Sequence, residues 1–324
     1  MKLLKEYNEM LEEGLKKISA GDKPDSLYDP VKYILDIGGK RVRPVLALMS
    51  CFSFNGDPKL ALKAALSVEL FHNFTLIHDD IMDSASTRRG KQTVHKKWGL
   101  NSGVLTGDVM LIMAYQLLEE YDSKVYLELN KLLNKTAKQV CEGQQMDMDF
   151  EKKSDINFEE YIRMIEHKTA VLLGCSLKMG AIIANASKKD QEIIYLYGIN
   201  LGLAFQFQDD YLDTFGQQNK VGKKIGGDIL ENKKTVLFHM AISNSTDLQK
   251  KQILELYNSN EILSDLKIEK ITSLFIETKA DNSSLELVDQ YTKKAIELIN
   301  CLSFNQTKKD DFINFSKNLM NRDL

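Results

Sequence analysis

An all-α fold is predicted for this chain of 324 residues, and three observations predict it. The four prolines, Pro24, Pro30, Pro44 and Pro58, all lie before residue 60. Beyond that point apolar residues recur at the period of a helix that turns one face to a core. Alternating β-branched runs joined by Asn-Gly or Asp-Gly, the mark of hairpins, are scarce. The hydrophobic share, 43%, supplies an ordinary globular core, and connections are short, so residues 1–324 read as a single domain. A formal net charge of -3 gives no reason to expect a nucleic-acid partner. Cys51, Cys141, Cys175 and Cys301 are scattered without metal spacing, as in a reduced cytoplasmic protein. The N-terminal residues are mixed in charge, unlike a signal peptide. No stretch reads as long and apolar enough to cross a bilayer, so no stable membrane insertion is expected.

The elements follow in order. Residues 1–20 form an amphipathic helix, and a short second helix from Tyr28 to Ile37 stops at Gly38-Gly39. Pro44 suits the first turn of a third helix, Val45 to Phe54. A long apolar helix runs from Pro58 to Asp83. Trp98 to Gly107 reads as a connection, and a buried helix follows from Gly107 to Leu118. Residues 124–150 and the stretch from Phe158 through Ala170 are helical, as is the apolar run into Phe205. Residues 245–324 are polar, Asn-, Lys- and Ser-rich helix with a structural role.

Chemistry concentrates where the long helix ends, at Asp79-Asp80-Ile81-Met82-Asp83. Asp79 and Asp83, four apart, share a helix face with Asp80 beside them, and such close carboxylates repel unless a cation neutralises them. Magnesium fits, held by one or two carboxylates together with phosphate oxygens. Asp209-Asp210-Tyr211-Leu212-Asp213 repeats the spacing after a similar apolar lead-in. One cluster alone is also what a helix running out into solvent looks like; two with the same pattern suggest carboxylates on facing helices around a cavity. Basic groups accompany both. Lys40 and Arg43 lie at a helix N-terminus, which attracts anions, although a solvated basic turn has the same composition. Arg88 and Arg89 follow the first cluster, and arginine forks onto phosphate. His72 lies two turns up the same helix, as a further hydrogen bonder or a satisfied core residue. Lys168 and Thr169 stand inside an apolar pattern, where a lysine needs an anionic partner or a path to the surface. Lys223 and Lys224, in a glycine-rich segment, read as a lid over phosphates, with Lys233 close behind.

These motifs, in this order, resemble the trans-type isoprenyl diphosphate synthases, the polyprenyl synthetases related to farnesyl and geranylgeranyl diphosphate synthases. The likeness covers roughly residues 30–240 and rests on Gly-Gly-Lys-Arg-x-Arg-Pro, the two Asp-Asp-x-x-Asp clusters, Arg-Arg-Gly, Lys-Thr and Phe-Gln. It implies the isoprenoid synthase fold, helices around a deep cavity, usually as a homodimer. It implies magnesium-dependent condensation of isopentenyl diphosphate with an allylic diphosphate, releasing diphosphate. By position, Lys40, Arg43, His72 and Arg89 would hold isopentenyl diphosphate. Asp79, Asp83 and Asp209 would be the principal metal ligands, supported by Asp80, Asp210 and Asp213. Arg88, Lys168, Thr169, Gln206 and Lys233 would contact the allylic diphosphate. Two departures stand out: the tandem Lys223-Lys224 leaves the lid lysine ambiguous, and Asn232-Lys233 stands where many relatives have Gly-Lys.

Phe74, backed by Phe71 one turn on, would be the floor for the growing tail. It lies about 7.5 Å along the axis from Asp79, and with small Thr75 beside it the resemblance implies products of about fifteen to twenty carbons. The ring is also compatible with a plain core position. A longer-chain synthase is the nearest alternative. A terpene cyclase normally lacks the second aspartate cluster and the Lys40/Arg43/His72 set. A non-catalytic partner subunit tends to lose such residues, and a purely structural bundle leaves the basic motifs unexplained.

Overall fold

The computed structural model describes residues 2–18, 22–153, 156–216, 225–259 and 263–321. Helices dominate, and the described residues contain one small antiparallel hairpin, β1 (Thr87–Arg88) with β2 (Lys91–Gln92). The chain divides into two compact units, Met1–Thr136 with Leu172–Tyr195, and Ala137–Val171 with Leu196–Leu324.

The first unit is built on α4 (Leu62–Met82), entered through a 3-10 turn at Pro58–Ala61. Asp57 starts that turn by accepting from the Lys59 N–H at 2.9 Å, with Pro58 at the position where no donor is needed. Every residue from Ala64 to Phe71 is buried. Around this helix pack α1 (Lys2–Ile18), α3 (Val42–Ser53) and α6 (Leu100–Gln116), while α2 (Asp25–Asp36) and α5 (Val94–Trp98) lie on α6. Amphipathic α1 inserts Tyr7, Leu11 and Leu15 into the core.

Three expectations are corrected here. With its 3-10 lead-in, α4 spans 25 residues and is long and apolar enough to cross a membrane by length and composition. Its apolar length serves a core that closes round it from Ala64 to Phe71, and it also buries Glu69, Asn73 and Asp80. The supposed connection before Gly107 is helix, since α6 begins at Leu100. Its glycines read as breakers but are sites of close packing. Nor is α6 buried all round: Leu100, Leu105 and Ile112 are 58%, 57% and 57% exposed.

Helix α7 (Ser123–Lys152) gives its residues up to Thr136 to the first unit and the rest to the second. The second unit continues with α8 (Phe158–Ile165) and one wide π-helical turn at Glu166–Ala170. It takes the first residue of α9 (Val171–Ile183) and the latter part of α10 (Lys188–Phe215). It then adds α11 (Gly227–Leu230), α12 (Val236–Asn244), α13 (Asp247–Asn258), α14 (Ser264–Glu277), α15 (Ala280–Asn300) and α16 (Gln306–Met320). Asn157 and Glu160 start α8 with reciprocal capping bonds of 2.9 and 3.0 Å. Fully buried Tyr197, Phe207, Phe275 and Phe312 fill this core, and α15 packs on α12 and α16. The polar C-terminal stretch is helical, as its composition predicts.

Candidate active site

In the first unit the Gly38-Gly39-Lys40 loop turns on positive φ at both glycines and at Arg41, which starts α3 at φ 46. Arg41 is 5% exposed and points inward. Its Nη1 donates to Glu69 at 2.5 Å, Nη2 to the Leu35 carbonyl at 2.7 Å and Nε to Glu12 at 3.3 Å. Asn73 donates to the same Glu69 oxygen at 2.9 Å. This buried pairing anchors the loop between exposed Lys40 and half-buried Arg43. Arg43 Nη1 lies 3.2 Å from His72 Nε2, and the Arg89 guanidinium lies against Gly39, where a Cβ would collide with it. Loss of hydration and the four surrounding arginines, Arg43 first, hold the His72 pKa well below its usual value. His72 is therefore neutral, accepts from Arg43 through Nε2, and carries its proton on Nδ1. Of the predicted set Lys40, Arg43, His72 and Arg89, the last three thus gather around the loop that carries Lys40.

At the end of α4, Asp80 is 2% exposed and gripped by Arg88, whose Nε reaches both carboxylate oxygens at 3.0 and 2.9 Å and whose Nη2 reaches Oδ1 at 2.8 Å. Burial still pushes the Asp80 pKa up against that pairing. Asp79 is half-buried, with an oxygen 3.6 Å from Arg88, and exposed Asp83 caps the helix. On the same helix the Phe74 ring meets Phe71 at 5.5 Å and His78 at 4.9 Å, and the Thr75 hydroxyl donates to the His72 carbonyl at 2.8 Å.

In the second unit Asp210 is the buried member of its cluster, 5% exposed. It accepts from the Tyr161 hydroxyl at 2.5 Å, from Gln206 Nε2 at 2.9 Å and from the Val236 N–H at 3.2 Å. The Thr169 hydroxyl donates to Gln206 at 3.0 Å, so the Lys-Thr motif and the second aspartate cluster join in one chain of bonds. Burial raises the Asp210 pKa, with Asp209 adding to the rise while its three donors oppose it. Lys168 has its anionic partner within the protein: Asp147 of α7, at 2.5 Å. Lys233 pairs with Glu231 at 2.7 Å and lies 3.9 Å from Asp228. A cavity of about 130 Å³ is lined by Lys168, Thr169, Gln206, Asp210 and Lys233, together with Asp147, Tyr161 and Asp228.

Asp147, Tyr161 and Asp228 carry no role in the sequence reading. Asp147 and Tyr161 meet their partners across 21 and 49 residues, a pairing no local pattern reveals. Asp228 sits in the Gly-Gly-Asp motif, and its backbone N–H donates to Asp213 at 2.9 Å. Lost hydration, then Asp210 and Asp213, push its pKa strongly upward. The π turn that carries Lys168 and Thr169 fits because Gly143 and Gly202 bring bare backbone against Lys168 and Ala170, where a Cβ would collide. Lys223 and Lys224 lie outside the described residues.

Among the described residues no three His, Cys, Asp or Glu side chains form a ready-made metal nest. The donors nonetheless suit a hard cation. Each cluster offers carboxylate oxygens, and in each the middle aspartate is fixed by protein donors while its neighbours are less buried. Such a site needs phosphate oxygens to complete the shell.

The polyprenyl synthetase family matches residues 24–275. The short chain isoprenyl diphosphate synthase of Methanocaldococcus jannaschii is 42% identical over 242 residues, 74% of each chain. The geranylgeranyl diphosphate synthase of Saccharolobus solfataricus is 36% identical over 80% of this chain and 87% of that one. A crystal structure of a geranylgeranyl pyrophosphate synthase shares the fold with a TM-score of 0.95 at 49% identity, over 98% of both chains. Motif order, fold and sequence agree: the chain belongs to the polyprenyl synthetase family, and it is a trans-prenyltransferase of the isoprenyl diphosphate synthase kind.

Proposed function

We propose that this enzyme condenses isopentenyl diphosphate with an allylic diphosphate, with magnesium, to an all-trans prenyl diphosphate, and that Phe74 lies one and a half turns, about 7.5 Å, from Asp79 to stop the tail at about fifteen to twenty carbons. The observation that carries the reading is the matched construction of the two clusters: Asp80 and Asp210 are pinned, and the flanking aspartates are placed around them. Asp79, Asp83 and Asp209 would hold magnesium, with Asp80, Asp210 and Asp213 in support. Bound magnesium supplies positive charge to the departing diphosphate.

The chain's own residues do the rest. Lys40, Arg43 and Arg89 bind the isopentenyl diphosphate, and neutral His72 orients Arg43 rather than adding charge. Arg88, Lys168 and Lys233 contact the allylic diphosphate: Lys168 and Lys233 exchange the carboxylates they now hold for phosphate oxygens, while Arg88 keeps its fork on Asp80 and offers its remaining N–H donors. Thr169 and Gln206 turn dipoles toward the developing allylic cation, and apolar walls exclude the water that would quench it. No side chain is placed as the base, so the released diphosphate takes the proton. The exposed apolar side chains of α6 support a homodimer, and the free thiols, two of them buried, suit a reducing cytoplasm.

The test is incubation with isopentenyl diphosphate, magnesium and allylic starters of different length. A longer prenyl diphosphate and released diphosphate are expected. Asp79→Ala and Asp209→Ala each lower turnover by about a hundredfold or more; near-normal turnover in either overturns the assignment.

A further inference from the structure

We propose that His78 is a specificity-determining residue that sets product length by bracing the ring of Phe74. The proposal rests on the reading of Phe74 as the floor, and it adds a second layer to it. Phe71, Phe74 and His78 share one face of α4. Their rings meet edge to face in sequence, Phe71 with Phe74 at 5.5 Å and 60°, and Phe74 with His78 at 4.9 Å and 70°. Phe71 is fully buried and closes the lower end, so the free edge of Phe74 is the one His78 covers.

His78 is itself held from α6. Its Nε2 donates to the Val104 carbonyl at 3.2 Å and lies 3.9 Å from Asp108 Oδ1. A Cβ at Gly107 would fall on the imidazole. Glycine in a helix interior is less favourable than alanine, and here the missing side chain is the space the His78 ring occupies. An imidazole clamped between Phe74, the Val104 carbonyl and Gly107 has little freedom to rotate. It keeps the phenyl ring beside it in one rotamer, and it precedes Asp79 directly. A tail anchored at Asp79 reaches His78 before it reaches Phe74.

The experiment compares products by chromatography for the wild type, Phe74→Ala, His78→Ala and His78→Phe, with one starter and excess isopentenyl diphosphate. Phe74→Ala lengthens the product if the floor reading holds. His78→Ala is expected to lengthen the major product by at least one isoprene unit, because Phe74 can swing into the vacated space. His78→Phe, which keeps a ring against Phe74, retains wild-type length. His78→Asn, which keeps a donor for Val104 but has no ring, is read in place of His78→Ala should the latter not fold, and is also expected to lengthen the product. An unchanged product in the ringless variants beside a longer one in Phe74→Ala overturns the role of His78 and leaves the floor standing. An unchanged product in Phe74→Ala removes the floor, and the brace falls with it.

Discussion

Asp80 and Asp210 occupy the same place in two clusters and are fixed by different means, a guanidinium fork in one case and a phenol, an amide and a backbone N–H in the other. A hydrogen bond to a buried charged group is worth about 1.5–3 kcal/mol. Tyr161→Phe is therefore expected to lower turnover about tenfold and to raise the magnesium concentration giving half-maximal rate, read by titrating the rate with magnesium. Unaltered magnesium dependence would make Tyr161 a core residue and nothing more. The aspartates, the Lys-Thr pair and Gln206 are legible because each lies in a short motif. Tyr161, Asp147 and the Arg41–Glu69 pair are not, because a buried charge names its need for a partner without naming the partner.

At the scale of elements, α12 carries a pH response. His239 is 7% exposed among the rings of Phe158, Tyr161 and Phe238. Burial, helped by Lys234, lowers its pKa from 6.5 to about 4. Below 6.5 the unfolded chain takes up a proton that the folded chain refuses until about 4, so stability declines as pH falls through that window. Between pH 7 and pH 5 the loss assignable to this one group is about 2 kcal/mol. Urea unfolding of the wild type and His239→Phe at both values checks it; the variant should lose less on acidification. Helix α6 shows where element reading fails. Gly99, Gly103 and Gly107 carry a poor intrinsic helix propensity, so residues 98–107 look like a break. Close approach decides instead, since Gly103 meets Ile81 and His95 as Gly107 meets His78. The longer helices were legible because their apolar period is sustained, whereas α5 and α11, of five and four residues, are too short to show one.

At the scale of the molecule, α6 also presents Leu100, Val104, Leu105 and Ile112 outward, and Leu127 of α7 is exposed in the same unit. Exposed apolar stripes of this kind mark interaction surfaces. Leu105→Lys with Ile112→Lys is expected to convert the proposed dimer to a monomer in light scattering. A dimer that survives both changes would place the interface elsewhere. The all-α class was legible from proline and periodicity, whereas the division into two compact units was not, because α7 and α10 give residues to both with no compositional seam.

The π turn at Glu166–Ala170 holds one residue more than an ordinary turn needs. Excising that residue would let the helix run on regularly from Phe158 to Ile183. Each residue, however, advances a helix by about 100°, so the same excision would dial α8 around its axis and carry the phenol of Tyr161 away from the carboxylate it meets. Smoothness of the coil and the meeting of Tyr161 with Asp210 are alternatives in this segment, and the chain keeps the wide turn that preserves the meeting.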